Sequence, residues 1–154
     1  MTNGKSVMTE LVLPNDTNII GNLLGGRLLH WIDISGALAA TRYANGLVAT
    51  LTMDTVEFTR PIKMGSIVTL ISYVTWTGNT SMEAAVEVYA ENPGVSDKVF
   101  VTKVYLVFVG IDGEGKKRRV PAFTPQSAQE TQEFEDAAQR KSARFALRKE
   151  FPAQ

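Results

Sequence analysis

The chain predicts an α+β fold in which an antiparallel sheet wraps around one long apolar helix. Two observations carry this expectation. Apolar residues recur at helical spacing from about Gly26 to Ala44, and four later segments alternate with the two-residue period of strands. The order of elements is one strand, one long helix, then four strands joined by short turns, so the strands are antiparallel neighbours and the helix packs on the sheet they make.

The first strand is expected over Val7 to Leu13, where Pro14-Asn15-Asp16 supplies turn chemistry that stops it. A glycine-rich approach, Asn18 to Gly26, leads to the helix, and Asn45-Gly46 ends it with a pair that readily takes left-handed conformations. Strands then follow over Leu47 to Phe58, Ile67 to Thr77, Ser81 to Glu91 and Phe100 to Ile111. In the third of these, Met82, Ala84, Val86, Val88 and Ala90 share one face, while Glu83, Glu87 and Glu91 line the other, the pattern of a sheet with one face covered and one wet. Gly78-Asn79 and the stretch Asn92 to Lys98 read as the turns between neighbours. A glycine-rich turn at Asp112 carries the basic run Lys116, Lys117, Arg118 and Arg119. Pro121 and Pro125 then lead to a polar helix from about Gln126 to Glu150. Only Phe134, Phe145 and Leu147 stand out there as apolar anchors, so that helix is expected to be a solvated flank or an oligomer arm. The organisation is one domain over 1–122 with a helical extension over 123–154.

Composition narrows the function. With 154 residues, 44% of them hydrophobic, the chain can bury a real core, and 16 acidic residues against 16 basic ones argue against general nucleic-acid binding. The absence of cysteine removes disulfides, zinc–thiolate sites and thiol nucleophiles together, and a single histidine, His30, leaves a metal site resting on carboxylates alone. No apolar run long enough to cross a bilayer occurs, and the start MTNGKSVMTE lacks a signal-peptide core, so a cytoplasmic location, or an organelle lumen or matrix, is expected, with no membrane partner.

The segment Asn18 to Gly36 is the most informative. If the helix starts near Gly26, Leu29, Ile32, Gly36, Ala40 and Tyr43 fall on one side with Asp33 in their midst. An ionised carboxylate facing a core costs several kcal/mol, roughly, unless something pairs or solvates it. A site is the natural reading, against a carboxylate satisfied by a helix start or by a serine such as Ser81.

The element order together with Pro14, Asn18, Gly21-Asn22, Gly25-Gly26, Asp33 with Gly36, Arg42, Phe58 with Pro61 and Gly65, and Gly78 with Thr80-Ser81-Met82 resembles the hotdog fold. More closely, it resembles the acyl-CoA thioesterases of the cytosolic acyl-CoA hydrolase group. The resemblance runs from about Leu11 to Val109, with departures at Leu24, where the family has an aromatic or histidine, and at Ser66, where an acidic residue is frequent. It implies a five-stranded sheet around a central helix, a homodimer at least, and a trimer of dimers as in many relatives. It also implies hydrolysis of fatty acyl-CoA to free acid and CoA without a cofactor beyond the substrate's own CoA. The alternative is a non-catalytic acyl-CoA-binding or sensing protein.

Thioester hydrolysis needs a base for the attacking water and donors for the oxyanion. Asp33 is the candidate base, its basicity raised by burial, with a nucleophile forming a mixed anhydride as its alternative role. The backbone N–H groups of Gly25, Gly26 and Arg27 open the helix and are the candidate oxyanion hole. Asn22, carried over from the family motif, would orient the water or the carbonyl. By resemblance Asn79, Thr80 and Ser81 run beside pantetheine, and Arg60 or Lys116, Lys117 and Arg118 meet the CoA phosphates. His30 reads as a helix-edge residue, out of place for the histidine-dependent dehydratases of the same fold. Asp33 lies about 10 Å along the helix from its start, whereas Asn22 precedes it, a separation that a dimer interface would resolve.

Overall fold

The computed structural model describes residues 3–150. Strand β1 (Ser6–Leu11) and a 3₁₀ turn (Pro14–Asp16) precede helix α1 (Gly25–Ala44). Strands β2 (Val48–Met53), β3 (Ile67–Thr77), β4 (Ser81–Asn92) and β5 (Ser96–Gly110) follow, and helix α2 (Ala128–Glu150) closes the chain. The five strands form one antiparallel sheet in the order β1-β3-β4-β5-β2, so β1 and β2 are its edges. Helix α1 covers one face. Leu28, Ile32, Ala40 and Tyr43 join Leu70, Val86, Leu106 and Phe108 in a single core. Each such large side chain contributes about 1.5–3 kcal/mol by leaving water.

Gly36 sets how closely α1 approaches the sheet. A Cβ there would stand 3.0 Å from the Phe108 ring and 3.5 Å from a Leu106 methyl, so a side chain at this position would have to push the ring aside. At the far end, Asn45 adopts the left-handed conformation (φ 49°) and its N–H reaches Thr41 O, the stop expected from Asn45-Gly46.

Three expectations are corrected. β2 ends at Met53 rather than Phe58: the ladder closes with the Asp54 N–H to Tyr105 O bond, and the Asp54 side chain meets an arginine of α2. β5 begins at Ser96 rather than Phe100, since the hairpin needs only Pro93, Gly94 and Val95, with Gly94 at φ +82°. The sheet's second face is not wet where β4 begins: α2 reaches over it, and Glu83 is 1% exposed. Helix α2 is therefore no solvated flank. It is fastened by Ala137, by Phe134 stacked 6.0 Å from Phe123, and by ion pairs of Arg140 and Arg144 to the sheet, whereas Phe145 and Leu147 remain exposed.

Candidate active site

The approach to α1 is pinned before the helix begins. Asp16 accepts the Leu13 N–H at 2.9 Å, pairs with Arg27 Nε at 3.2 Å, and through its carbonyl accepts the Leu24 N–H at 2.8 Å. Asn18 organises the loop that follows, its Oδ1 accepting the N–H groups of Ile20 and Asn22, each at 3.1 Å, while Gly21 takes φ +81°. Asn22 forms an isolated bridge with Lys63, and Leu23 N–H bonds Ile62 O, so the loop is stitched to the β2–β3 connection.

Leu24 is the N-cap and has no side-chain oxygen to occupy the first amides of α1. Of the three amides expected in an oxyanion hole, Arg27 N–H is already spent, donating to Leu24 O at 3.1 Å. That corrects its assignment and leaves Gly25 and Gly26 as the candidate donors. A Cβ on Gly26 would meet nothing within 4 Å, so its surroundings are open to an incoming group, whereas one on Gly25 would press on the Phe58 ring at 3.3 Å.

Asp33 stands at the edge of the apolar stripe, not within it. Ile32, Ser35, Gly36, Ala39 and Ala40 are buried, and Leu29, Asp33 and Ala37 form a half-buried row beside them at four-residue spacing. This corrects the expectation of a carboxylate among core residues, and the alternative partner Ser81 is not the one it takes. Thr50 of β2 donates its hydroxyl to Asp33 Oδ1 at 2.8 Å, which holds the carboxylate toward the open edge of the sheet. Thr50 carried no signal in the sequence, because threonine is ordinary in strands and the contact depends on how β2 crosses α1. With α1 starting at Gly25, Asp33 lies about 12 Å along the axis from the helix start, too far for both to reach one thioester carbon within a protomer.

The residues assigned to CoA divide between two ends of the molecule. Asn79, Thr80 and Ser81 turn from β3 to β4, and the Val120 N–H to Asn79 O bond (2.9 Å) brings the segment after the basic run beside them. Lys116 and Lys117 are exposed there. Arg118 is corrected: its Nη2 donates to Ala44 O at 3.3 Å and packs over Gly46, so it caps the C-terminus of α1 instead of facing solvent. Arg60 is at the other end, in the loop whose Thr59 hydroxyl bonds Val101 O, about 30 Å along β5 from Gly110 at a strand's rise per residue. Arg60 thus shares its end with Gly25 and Gly26, and the basic turn shares the opposite one. His30 is exposed on α1 as expected, and no cluster of three metal-binding side chains occurs among the described residues.

The buried carboxylate of this chain is Glu83, which alternation along β4 had placed in water. Arg140 holds it with bonds of 2.7 and 3.0 Å, Arg144 with one of 2.6 Å, and the Thr75 hydroxyl with one of 2.6 Å. Arg144 also grips Asp54 with two bonds of 2.8 Å. Alongside, Glu87 accepts the phenol hydroxyls of Tyr73 (2.6 Å) and Tyr89 (2.7 Å), and Lys103 pairs with Glu133. Partial burial works to raise the Glu87 pKa, but the two phenols together with the charges of Lys103 and Lys5 outweigh it and hold the carboxyl below its usual value. Burial and the Glu87 carboxylate together push the Tyr73 phenol up.

A five-stranded antiparallel sheet with one long helix across its face is the hotdog arrangement. The thioesterase superfamily matches residues 20–96. The Bacillus subtilis (strain 168) acyl-CoA thioester hydrolase YkhA, itself uncharacterized, is 36% identical over 140 residues, covering 91% of this chain and 81% of the relative. A hexameric acyl-CoA thioesterase crystallised in its apo form superposes with a TM-score of 0.89 at 36% identity, over 94% of this chain and 93% of that one. The Staphylococcus aureus acyl-CoA hydrolase, in complex with butyryl coenzyme A, coenzyme A and coenzyme A disulfide, gives 0.87 at 33% identity, over 96% and 90%. Structures of alanine variants of that hydrolase at an aspartate, an asparagine and a threonine are similar to the same degree. The chain belongs to the hotdog-fold acyl-CoA thioesterases of the thioesterase superfamily.

Proposed function

We propose that the chain hydrolyses fatty acyl-CoA to free acid and CoA, with Asp33 as the general base and a site completed by a second copy of the chain. The observation that carries the reading is the Thr50–Asp33 hydrogen bond at 2.8 Å, which aims a half-buried carboxylate at an open edge strand with no ion-pair partner among the described residues. In the S. aureus variants, fifteen residues separate the substituted asparagine from the aspartate and seventeen separate the aspartate from the threonine. Asn18, Asp33 and Thr50 have the same two separations here.

Asp33 takes a proton from water as its oxygen attacks the thioester carbon. The Gly25 and Gly26 amides, at the positive end of α1, stabilise the oxyanion. Collapse of that intermediate breaks the C–S bond, and the proton held by Asp33 passes to the CoA sulfur. The spacing favours Asn18 over Asn22 as the amide that orients water or carbonyl, with Asn22 tested beside it.

The 12 Å between Asp33 and the helix start is what calls for two protomers. α1 leaves Ile34 and Leu38 exposed one turn apart, and β2 offers an unpaired edge flanked by exposed Leu47 and Leu51, a face suited to an identical partner. A dimer built there, and a trimer of such dimers, would set the helix start and Arg60 of one protomer against Asp33 of the other. Lys116, Lys117, Asn79, Thr80 and Ser81 would then be within reach of the CoA moiety. A cytoplasmic location belongs to the same proposal; no helix of the described residues is long and apolar enough to cross a membrane.

The test is release of thiol from saturated acyl-CoAs of two to sixteen carbons. The parent releases CoA with a maximum at one chain length, and Asp33→Asn loses about 10²–10⁴-fold in kcat, the range for a general base. Binding of acyl-CoA with no release at any length would make the chain a binder instead.

A further inference from the structure

Resting on that reading, one feature of the outer face acts on the site from behind the sheet. β2 is an edge strand paired only with β5, and its ladder is broken by a bulge: Thr50 faces Phe108 and Thr52 faces Val107, leaving Leu51 unmatched. Beyond the bulge only Thr52, Met53 and the Asp54 N–H to Tyr105 O bond (2.9 Å) continue the pairing. Past the bulge few bonds within the protomer set the register, and a slip of one residue sends each side chain to the opposite face. For β2 that slip would turn Thr50 away from Asp33.

Asp54 prevents it. Immediately after β2, its carboxylate takes both prongs of Arg144, and the same guanidinium bonds Glu83, which is 1% exposed and held again by Arg140. Arg140 and Arg144 are four residues apart on one face of α2, so the helix acts as a bar tying the end of β2 to the start of β4. The two-pronged geometry fixes direction as well as distance, which a lysine could not do.

We propose that Asp54 and Arg144 are positioning residues for hydrolysis: by anchoring β2 past its bulge they hold Thr50 in register, and through Thr50 they hold the Asp33 carboxylate. Neither touches substrate. The helical extension is thereby part of the catalytic architecture, although it lies on the face of the sheet opposite α1.

The test is Asp54→Asn, which keeps Glu83 between its two arginines and so leaves no buried carboxylate alone. With whichever of butyryl-, octanoyl- and palmitoyl-CoA the parent turns over fastest, kcat falls about tenfold while KM stays within about twofold, and Asp54→Glu recovers part of the loss. Thr50→Val lowers kcat on its own but adds little on top of Asp54→Asn, because both act through one contact. A merely structural role would lower thermal stability and leave the two kcat effects independent. Amide hydrogen exchange gives the readout that needs no activity: residues 50–54 exchange at least about tenfold faster in Asp54→Asn than in the parent. Unchanged exchange in that segment overturns the proposal. So does parental kcat in Asp54→Asn, or full additivity with Thr50→Val. A parent that hydrolyses none of the three substrates, with exchange accelerated as stated, would instead count against the hydrolase reading alone.

Discussion

Replacing Arg140 with alanine tests whether the C-terminal helix is part of the domain. Arg140 makes three bonds to Glu83, one of 2.8 Å to the Glu133 carbonyl, and stacks its guanidinium 3.9 Å from the Tyr105 ring. Removing one partner of a buried pair costs about 3–5 kcal/mol when the surviving charge is left alone. Glu83 is not left alone, since Arg144 and Thr75 stay bonded to it, which brings the electrostatic part down to about 2 kcal/mol. Loss of the guanidinium–ring contact adds about 0.5–1 kcal/mol. The sum of about 3 kcal/mol corresponds to a fall in Tm of roughly 6–12 °C for a domain of this length. The assay is thermal unfolding at fixed protomer concentration, because association would otherwise shift Tm by mass action. Arg148→Ala, on an exposed stretch of the same helix, is the control and changes Tm by no more than about 2 °C. An Arg140→Ala variant that melts with its control would refute the reasoning and return α2 to the role of a solvated arm.

Other perturbations probe the core, the outer face and the loop. Ser35 is fully buried in α1, and its hydroxyl is without a hydrogen-bond partner, so Ser35→Ala raises stability by about 1 kcal/mol in denaturant titration, whereas a lower midpoint would reveal a bond not accounted for. Glu87 has a folded pKa held below its usual value, so its contribution to stability is present at neutral pH and is lost as pH falls from about 4.5 through the folded value. In Tm against pH, Glu87→Gln converges on the parent at the acid end of that window; parallel curves down to the lowest pH would contradict the assignment. Asn18→Asp keeps the acceptor that holds the Ile20 and Asn22 amides but removes the amide donor, so it lowers kcat by about 10²-fold with Tm nearly unchanged, while Asn22→Ala has the smaller effect. The reverse order would restore Asn22 as the orienting residue.

Periodicity carried most of the fold. The 3.6-residue pattern placed α1 within one residue of its observed start, and alternation found β3 with both its ends. What it could not read was the covering of the sheet's second face. Glu83 and Glu87 alternate with apolar neighbours as if wet, and α2 is too polar to announce itself as a packing partner. The pairing of Glu83 with Arg140, 57 residues away, has no local signature. The same limit applies at the site. Asp33 stood out as an anomaly on an apolar helix, but a 100° step from Ile32 is enough to move it from the stripe to its edge. Its partner Thr50 sits across a strand crossing that no spacing rule reaches. Arg118 looked like a free cation in a basic run, and only the approach of that run to Gly46 and the end of α1 turns it into a cap.

The central claim is a site divided between two protomers, with Asp33 from one and the helix start from the other. Mixing decides it most directly: Asp33→Asn and Asn18→Asp chains, each inactive alone, are unfolded, combined in equal amounts, refolded together and assayed for CoA release. Half of randomly paired dimers then contain one of each, with one intact site of two, so the account predicts recovery of about a quarter of parental turnover. A mixture as inactive as its components would place the whole site within a single chain and contradict the account.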